Sequence, residues 1–182
     1  MPNVFEAVTN VVRSMTDDEP KAPLHIGEVM SCWTYLPAVN AVLTTTQVGL
    51  NTATDADLQK ALLEVERMSK SQQERLQEFM RQEGVPLPSL SELKPKCDPK
   101  TVPQGGRFTD DEIANGLAAS VASGVIACST AATEAVRNDV MLMWFQFQSE
   151  LVTFGATLKT LMRHKSWLKT PPAYAPLGSP SH

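Results

Sequence analysis

Between Val85 and Arg107 the chain carries five prolines and a Gly-Gly pair, which exclude a regular helix or a central strand there. So long a structureless connection is uncommon inside a compact domain and needs a reason. The reason lies in what flanks it. Before it come a segment from about His25 to Gly49 and the amphipathic stretch DADLQKALLEVERMSKSQQERLQEFMRQEG. The latter sets Leu58, Leu62, Val65, Leu76, Phe79 and Met80 on one side and charge on the other, with Gly84 as its stop. After it the helical pattern resumes from about Asp110 to Val136 and from about Asp139 to His164. Helices of ~25 residues at ~1.5 Å per residue run nearly 40 Å, a span an extended crossover can cover. Two helices, a long crossover and two more helices predict an all-α, ferritin-like four-helix bundle.

The predicted domain covers 24–172, with hairpins 24–84 and 108–165 and the crossover 85–107. Ahead of it, Val4, Phe5, Val8, Val11, Val12 and Met15 repeat at helical spacing, so 1–23 reads as a short helical arm followed by the acidic linker TDDEPKAP. Residues 173–182 read as an irregular tail. At 182 residues a single core is expected.

The halves resemble each other. LHIGEVMSCW from Leu24 and FTDDEIANGL from Phe108 align Glu28 with Glu112 and Val29 with Ile113, an offset of 84 residues. LQEFMRQEGVPLP from Leu76 and LKTLMRHKSWLKTPP from Leu158 align Met80 with Met162 and Arg81 with Arg163 at an offset of 82. A duplicated hairpin would produce this pattern and a pseudo-twofold axis.

Carboxylate-bridged metal bundles use a Glu from each of two helices and a Glu-x-x-His from each of the other two. Glu28 and Glu112 fall on the first and third helices, and Glu66 and Glu150 on the second and fourth. Yet Ser69 and Thr153 stand where the histidines belong. Glu28 and Glu66 are also separated by roughly 15 Å along an antiparallel hairpin, as are Glu112 and Glu150. Only Glu66 and Glu150 could approach mid-bundle. Thr109 and Glu112 read instead as a capping box, with Asp110 and Asp111 at the positive end of the helix dipole. His25 ahead of Glu28 reads as a weaker cap, and as a ligand or base only secondarily. No metal, cofactor or catalytic constellation is therefore expected.

A net charge of -4 without a basic stripe argues against nucleic acid. Cys32, Cys97 and Cys128 are odd in number and widely spaced, which argues against a disulfide framework or zinc site. No basic leader with an apolar core precedes the bundle, so a reducing cytoplasm is the expected location. Val29 to Thr54 and Ile113 to Thr133 carry no charge at all. Their Thr, Asn, Ala, Ser and Gly content argues against membrane spans and predicts helices buried nearly all round, inside the bundle or against another subunit. Gly116, Ser120 and Gly124 would form a smooth stripe for a neighbouring helix, within the chain or across a homodimer.

The segments LHIGEVMSCWTYL, GLNTATDADLQKAL, QEGVPLP, GRFTDDEIANGLAAS, RNDV and FQSELVTFGATLKTLMRHKSWLKTPP together resemble a domain-of-unknown-function family of spore-forming Firmicutes, some members of which are called putative spore coat proteins. The likeness covers Leu24 to Pro172. It implies a ferritin-like bundle, often duplicated in longer members, and a place in the spore coat, with no established catalytic residues. It also brings a departure: members often carry a His in the second helix where this chain has Gln72.

The reading that follows is a structural, self-associating protein without catalytic activity, whose partners are a second copy and other spore coat proteins. The alternative is a ferritin-like iron or manganese protein or oxidase. A weaker alternative is a binder of a small apolar ligand held between the helices.

Overall fold

The computed structural model describes residues 21–172 and Tyr174; the helical arm expected within 1–20 and most of the tail lie outside the described residues. Four α-helices run α1 (Ile26–Leu50), α2 (Ala56–Gln82), α3 (Asp110–Glu134) and α4 (Asn138–His164), with no strand among the described residues. Consecutive helices pair as antiparallel hairpins, and α1 then lies against α3 and α2 against α4. The crossover returns the chain to the end where α1 finished, so α3 runs antiparallel to α1. This is the expected ferritin-like arrangement.

The core is apolar and layered. Leu36, Leu43, Leu58, Leu62, Leu76, Met80, Trp144, Phe147, Leu158 and Met162 are almost fully buried. Each amphipathic helix contributes one stripe, and at about 25 cal/mol per Å² this burial is the main term that favours folding. The crossover has only two short 3₁₀ turns, Pro99–Thr101 and Gln104–Gly106. Amides on α1 and just beyond it hold it in place. Asn40 donates to the Ser91 carbonyl at 3.0 Å, Gln47 accepts from the Lys94 N–H at 2.6 Å, and Asn51 bonds the Pro95 carbonyl and the Cys97 N–H. These amides supply hydrogen-bond partners for the backbone of the proline-rich crossover, which has little regular structure of its own.

One end of the bundle is pinned by Glu28. Its Oε1 accepts the backbone N–H groups of Val136 and Arg137, both at 2.9 Å, in the α3–α4 turn. The other end is pinned by Asp110, whose carboxylate accepts Thr54 N–H at 2.8 Å, Asp55 N–H at 3.1 Å and the Thr54 hydroxyl at 2.6 Å, in the α1–α2 turn. The first helix of each hairpin thus grips the turn of the other. Beside each clamp sits an ion pair, Arg137 with Glu83 at 2.7 Å and Lys165 with Asp55 at 2.7 Å. Positions 55 and 137, and 83 and 165, are related by the offset of 82, with the charges exchanged.

The helix ends repeat the same geometry. Thr109 and Glu112 form the expected capping box, and the His25 Nδ1 accepts Gly27 N–H at 2.9 Å while Glu28 Oε2 accepts His25 N–H at 3.0 Å. At the C-termini of α2 and α4, Val85 N–H reaches the Met80 carbonyl and Trp167 N–H the Met162 carbonyl, each at 2.8 Å. Both turns need a left-handed residue, supplied by Gly84 at φ 70° and by Ser166 at φ 60°. A Cβ at Gly84 would meet no atom within 4 Å, so only backbone strain opposes one. Gly84→Ala is expected to cost about 1 kcal/mol and Ser166→Gly to gain about 0.5 to 1 kcal/mol. Thermal denaturation of the two variants should therefore shift in opposite directions, by about 2 to 4 °C each.

The charge-free helices are not buried all round within the chain itself. The bundle buries one face of α1 and only Ala114, Leu117, Val121, Cys128 and Ala131 of α3. Small side chains shorten the reach of α3, so much of its uncharged surface is left facing solvent. Residues 104–134, which include α3, are long and apolar enough to cross a membrane by length and composition.

Candidate functional site

The centre of a ferritin-like bundle is where facing helices can bring polar groups together, and in this chain α1, α2 and α4 build a hydrogen-bonded network there. Gln72, 2 % exposed, stands at its middle. Its Oε1 accepts the Tyr35 hydroxyl at 2.9 Å, and its Nε2 donates to Glu150 at 2.9 Å and to the Phe147 carbonyl at 3.3 Å. Arg75 binds both Glu150 oxygens at 2.7 Å and lies 4.7 Å over the Phe147 ring. Tyr35, Trp144 and Phe147 enclose the network, with ring centroids 5.1 to 6.0 Å apart. Every polar atom of Gln72 is used, and the Glu150 charge is matched by the Arg75 guanidinium, whose Nη2 reaches both carboxylate oxygens.

Glu66 does not join this group. It pairs with Lys70 at 2.8 Å and turns toward Gln47 and Lys96, on the crossover side of α2. Gln72 packs at the level of Phe147 and Glu150, so Glu66 lies about 9 Å farther along the axis. The mid-bundle approach that helical height left open to Glu66 and Glu150 does not occur, for reasons of face and height. Glu28 and Glu112 are held at opposite ends of the bundle as clamp and cap, and His25 caps α1. Among the described residues no group of three or more His, Cys, Asp and Glu could hold a metal ion. The donor set does not fit an iron or manganese pair.

The buried thiols are held protonated. Burial, with Glu28 near Cys32 and Glu150 near Cys128, pushes Cys32 up to about 12 and Cys128 up to about 11. Neither is poised as a nucleophile, because the thiolate is the reactive form. Burial also raises Tyr35. At Glu28 burial opposes the charged form, but the N–H donors of Arg137, His25 and Val136 outweigh it and the carboxyl lies below its ordinary value. Asp139 is lowered by its bonds to Arg137 and Lys21, against a smaller effect of burial.

Where α1 lies against α3, small side chains leave the contact incomplete. A groove runs along it, continuous from Ser31 and Ala131 at one end to Gly49 and Ile113 at the other, with a central cavity of about 510 Å³. Its walls include Ala38, Val42, Thr45, Ser120, Ser123 and Ala127, and Glu112 brings a charge to the end near Gly49. All three residues of the predicted stripe, Gly116, Ser120 and Gly124, line this groove, and Gly124 also serves packing within the chain: a Cβ there would sit 3.0 Å from the Leu151 side chain of α4.

Fold and site together define a ferritin-like helical bundle whose centre is closed by a neutral-to-paired polar network. A solved two-domain protein from Anabaena variabilis ATCC 29413, containing DJ-1/ThiJ/PfpI-like and ferritin-like domains, shares the fold at a TM-score of 0.63 and 12 % identity, over 96 % of this chain and 52 % of that one. The chain belongs to the family "Protein of unknown function (DUF3231)", whose model matches residues 14–178. It is similar to the uncharacterized protein YvdQ of Bacillus subtilis strain 168, 33 % identical over 84 % of this chain and 89 % of the other. The crystal structure of a protein named "putative spore coat protein" from Bacillus halodurans C-125 superposes with a TM-score of 0.82 at 34 % identity, covering 85 % of this chain and 97 % of that one.

Two measurements test the energetics. Gln72→Leu strands the Tyr35 hydroxyl and loosens Glu150, and is expected to cost about 2 to 3 kcal/mol; Tyr35→Phe should cost about 1 kcal/mol, and the double variant less than the sum. Chemical denaturation of the three variants reads this coupling. The lowered Glu28 pKa gives stability that is complete above its unfolded value, about 4.3, and lost as pH falls through the native value. Glu28→Gln should therefore cost about 2 kcal/mol at neutral pH and flatten the acid side of the stability profile. Urea midpoints from about pH 6 to pH 3 check it.

Proposed function

We propose that this protein is a non-catalytic structural component, a self-associating helical bundle of the spore coat. The observation that carries the reading is an uncharged, solvent-facing surface where a soluble bundle would ordinarily carry charge. From Ile113 to Thr133 α3 has no charged residue, and Ile126 is 66 % exposed. On α4, Phe145 and Val152 are also more than half exposed. The contacts of Ser129 with Gln148 and of Gly124 with Leu151 put these residues at one level of the hairpin.

An apolar patch of this kind marks an interaction surface, and one without charge meets its own copy across a twofold axis with no repulsion. The closed network at the bundle centre agrees with a structural part: Glu150 is already paired and Gln72 saturated, which leaves no group free to act as base or ligand there. The name of the Bacillus halodurans relative supplies the setting in the coat.

Light scattering of the full chain over two decades of concentration tests this. A dimer or larger species is expected, and Ile126→Lys with Phe145→Lys should shift it to monomer without lowering the melting temperature. A strictly monomeric wild type overturns self-association. Iron or manganese retained near one ion per chain, after purification without affinity tags or chelators, overturns the non-catalytic reading.

A further inference from the structure

Buried polar side chains without partners are rare in folded proteins, and each one calls for a reason. Of the seven polar or charged residues buried among those described, five are hydrogen-bonded through their side chains. The hydroxyls of the other two, Thr46 and Ser69, have no partner among the described residues. Ser69 is only 4 % exposed and Thr46 only 3 %. Both line the same hollow: Ser69 the central cavity, and Thr46 the lobe that continues it toward Gly49.

The central cavity reaches beyond the α1–α3 contact into the bundle. Small residues of α1 and α3, among them Ala38, Ala119 and Ala127, form its sides, and the buried Val65, Ser69 and Leu151 of α2 and α4 form its floor. Its volume of about 510 Å³ is roughly three times the ~150 Å³ of a dry cavity that takes a benzene ring, and lies in the range of natural ligand sites. None of the residues lining it is charged. Gln72 also lines it, but its amide is spent on Tyr35, Glu150 and the Phe147 carbonyl. Ser69 is left with both its donor and its acceptor capacity unused.

That combination selects its occupant. Water is held poorly, because an ordered molecule needs about two to four polar partners and the floor offers one free hydroxyl among aliphatic side chains. An ionised group fares worse, since it would lose its hydration and meet no counter-charge. An aliphatic body gains on every side, both from its own burial and from the loosely held water it displaces. We propose that the central cavity binds a neutral amphiphile: an uncharged molecule with an aliphatic body and one hydroxyl or carbonyl oxygen, to which the Ser69 hydroxyl donates. The body lies against Val65, Leu151 and Ala127, and a longer chain extends past Val42 and Thr45 into the lobe of Thr46. The inference does not rest on the proposed function, because Ile126, Phe145 and Val152 of the association patch do not line this hollow.

Isothermal titration calorimetry of the full chain with 1-octanol tests the site. Saturable binding of about one molecule per chain is expected, and octanoate near neutral pH should bind at least tenfold more weakly. Ser69→Ala should weaken 1-octanol binding about tenfold, the loss of one hydrogen bond, without lowering the melting temperature of the unliganded chain, since no bond is lost there. A merely structural Ser69 would show the reverse. Ala127→Phe, at an exposed position on the cavity wall, should abolish binding in a chain that still folds. Ser69→Ala keeps the test decisive if Ala127→Phe unfolds the protein. The Ile126→Lys and Phe145→Lys chain should bind as wild type does, so failure of association and failure of the site are read separately. No saturable binding of 1-octanol, equal binding of octanoate, or undiminished affinity in Ser69→Ala or in folded Ala127→Phe would overturn the proposal.

Discussion

Two carboxylates decide how the halves of this bundle meet. Glu28 and Asp110 each stand in the first turn of a hairpin and take up the backbone N–H groups of the opposite interhelical turn. A turn that ends one helix and begins another exposes donors with no partner of their own, and a carboxylate satisfies several at once. Glu28 is 3 % exposed, a position an ionised group holds only with such donors around it. The interaction fixes the relative height of the hairpins, hence which residues share a level at the centre. Everything farther in, including the alignment of Gln72 with Glu150, inherits that register.

With both ends pinned by charge, the middle can be sparing with it. Glu150 is neutralised by Arg75, and the remaining polar groups are an amide and a phenol bonded to each other. Carboxylates used at the ends and on the crossover side are unavailable at the centre, and that division separates this chain from a carboxylate-bridged metal bundle. Its ferritin-like architecture is shared with proteins at 12 % identity, a reminder that fold and site are separate matters.

The parts of the fold legible in the sequence were those governed by local rules. Thr109 with Glu112 is a three-residue pattern, the helical stripes are periodic, and five prolines mark the crossover. The clamps were not legible, because the partners of Glu28 lie 108 and 109 residues away and are backbone groups without a side-chain signature. A signal did exist for the crossover: Asn40, Gln47 and Asn51 recur on one face of a charge-free segment opposite a proline-rich one, as hydrogen-bond donors and acceptors for it would. The Gln72 network had no local pattern to announce it, since its partners Tyr35 and Glu150 lie 37 and 78 residues away. Helical height alone left Glu66 and Glu150 free to meet, and it is the face of α2 on which Glu66 stands, toward Lys70, Gln47 and Lys96, that separates them.

The charge-free helices are not enclosed by the bundle for a physical reason. Absence of charge permits burial but does not cause it, since burial is driven by apolar area and Ala, Ser and Gly supply little. What decides the position of α3 is its contact with α4. Gly124 lets the Leu151 side chain come within 3.0 Å of where a Cβ would be, and Gly155 does the same for Val121 at 3.1 Å. Glycines on both partners draw that hairpin tight. The Tyr35, Trp144 and Phe147 rings meanwhile fill the space between α1 and α4 and hold α1 outward. Where α1 meets α3, Ala38, Ser120, Ser123 and Ala127 are too small to fill the contact, and the groove on that side follows as a packing consequence.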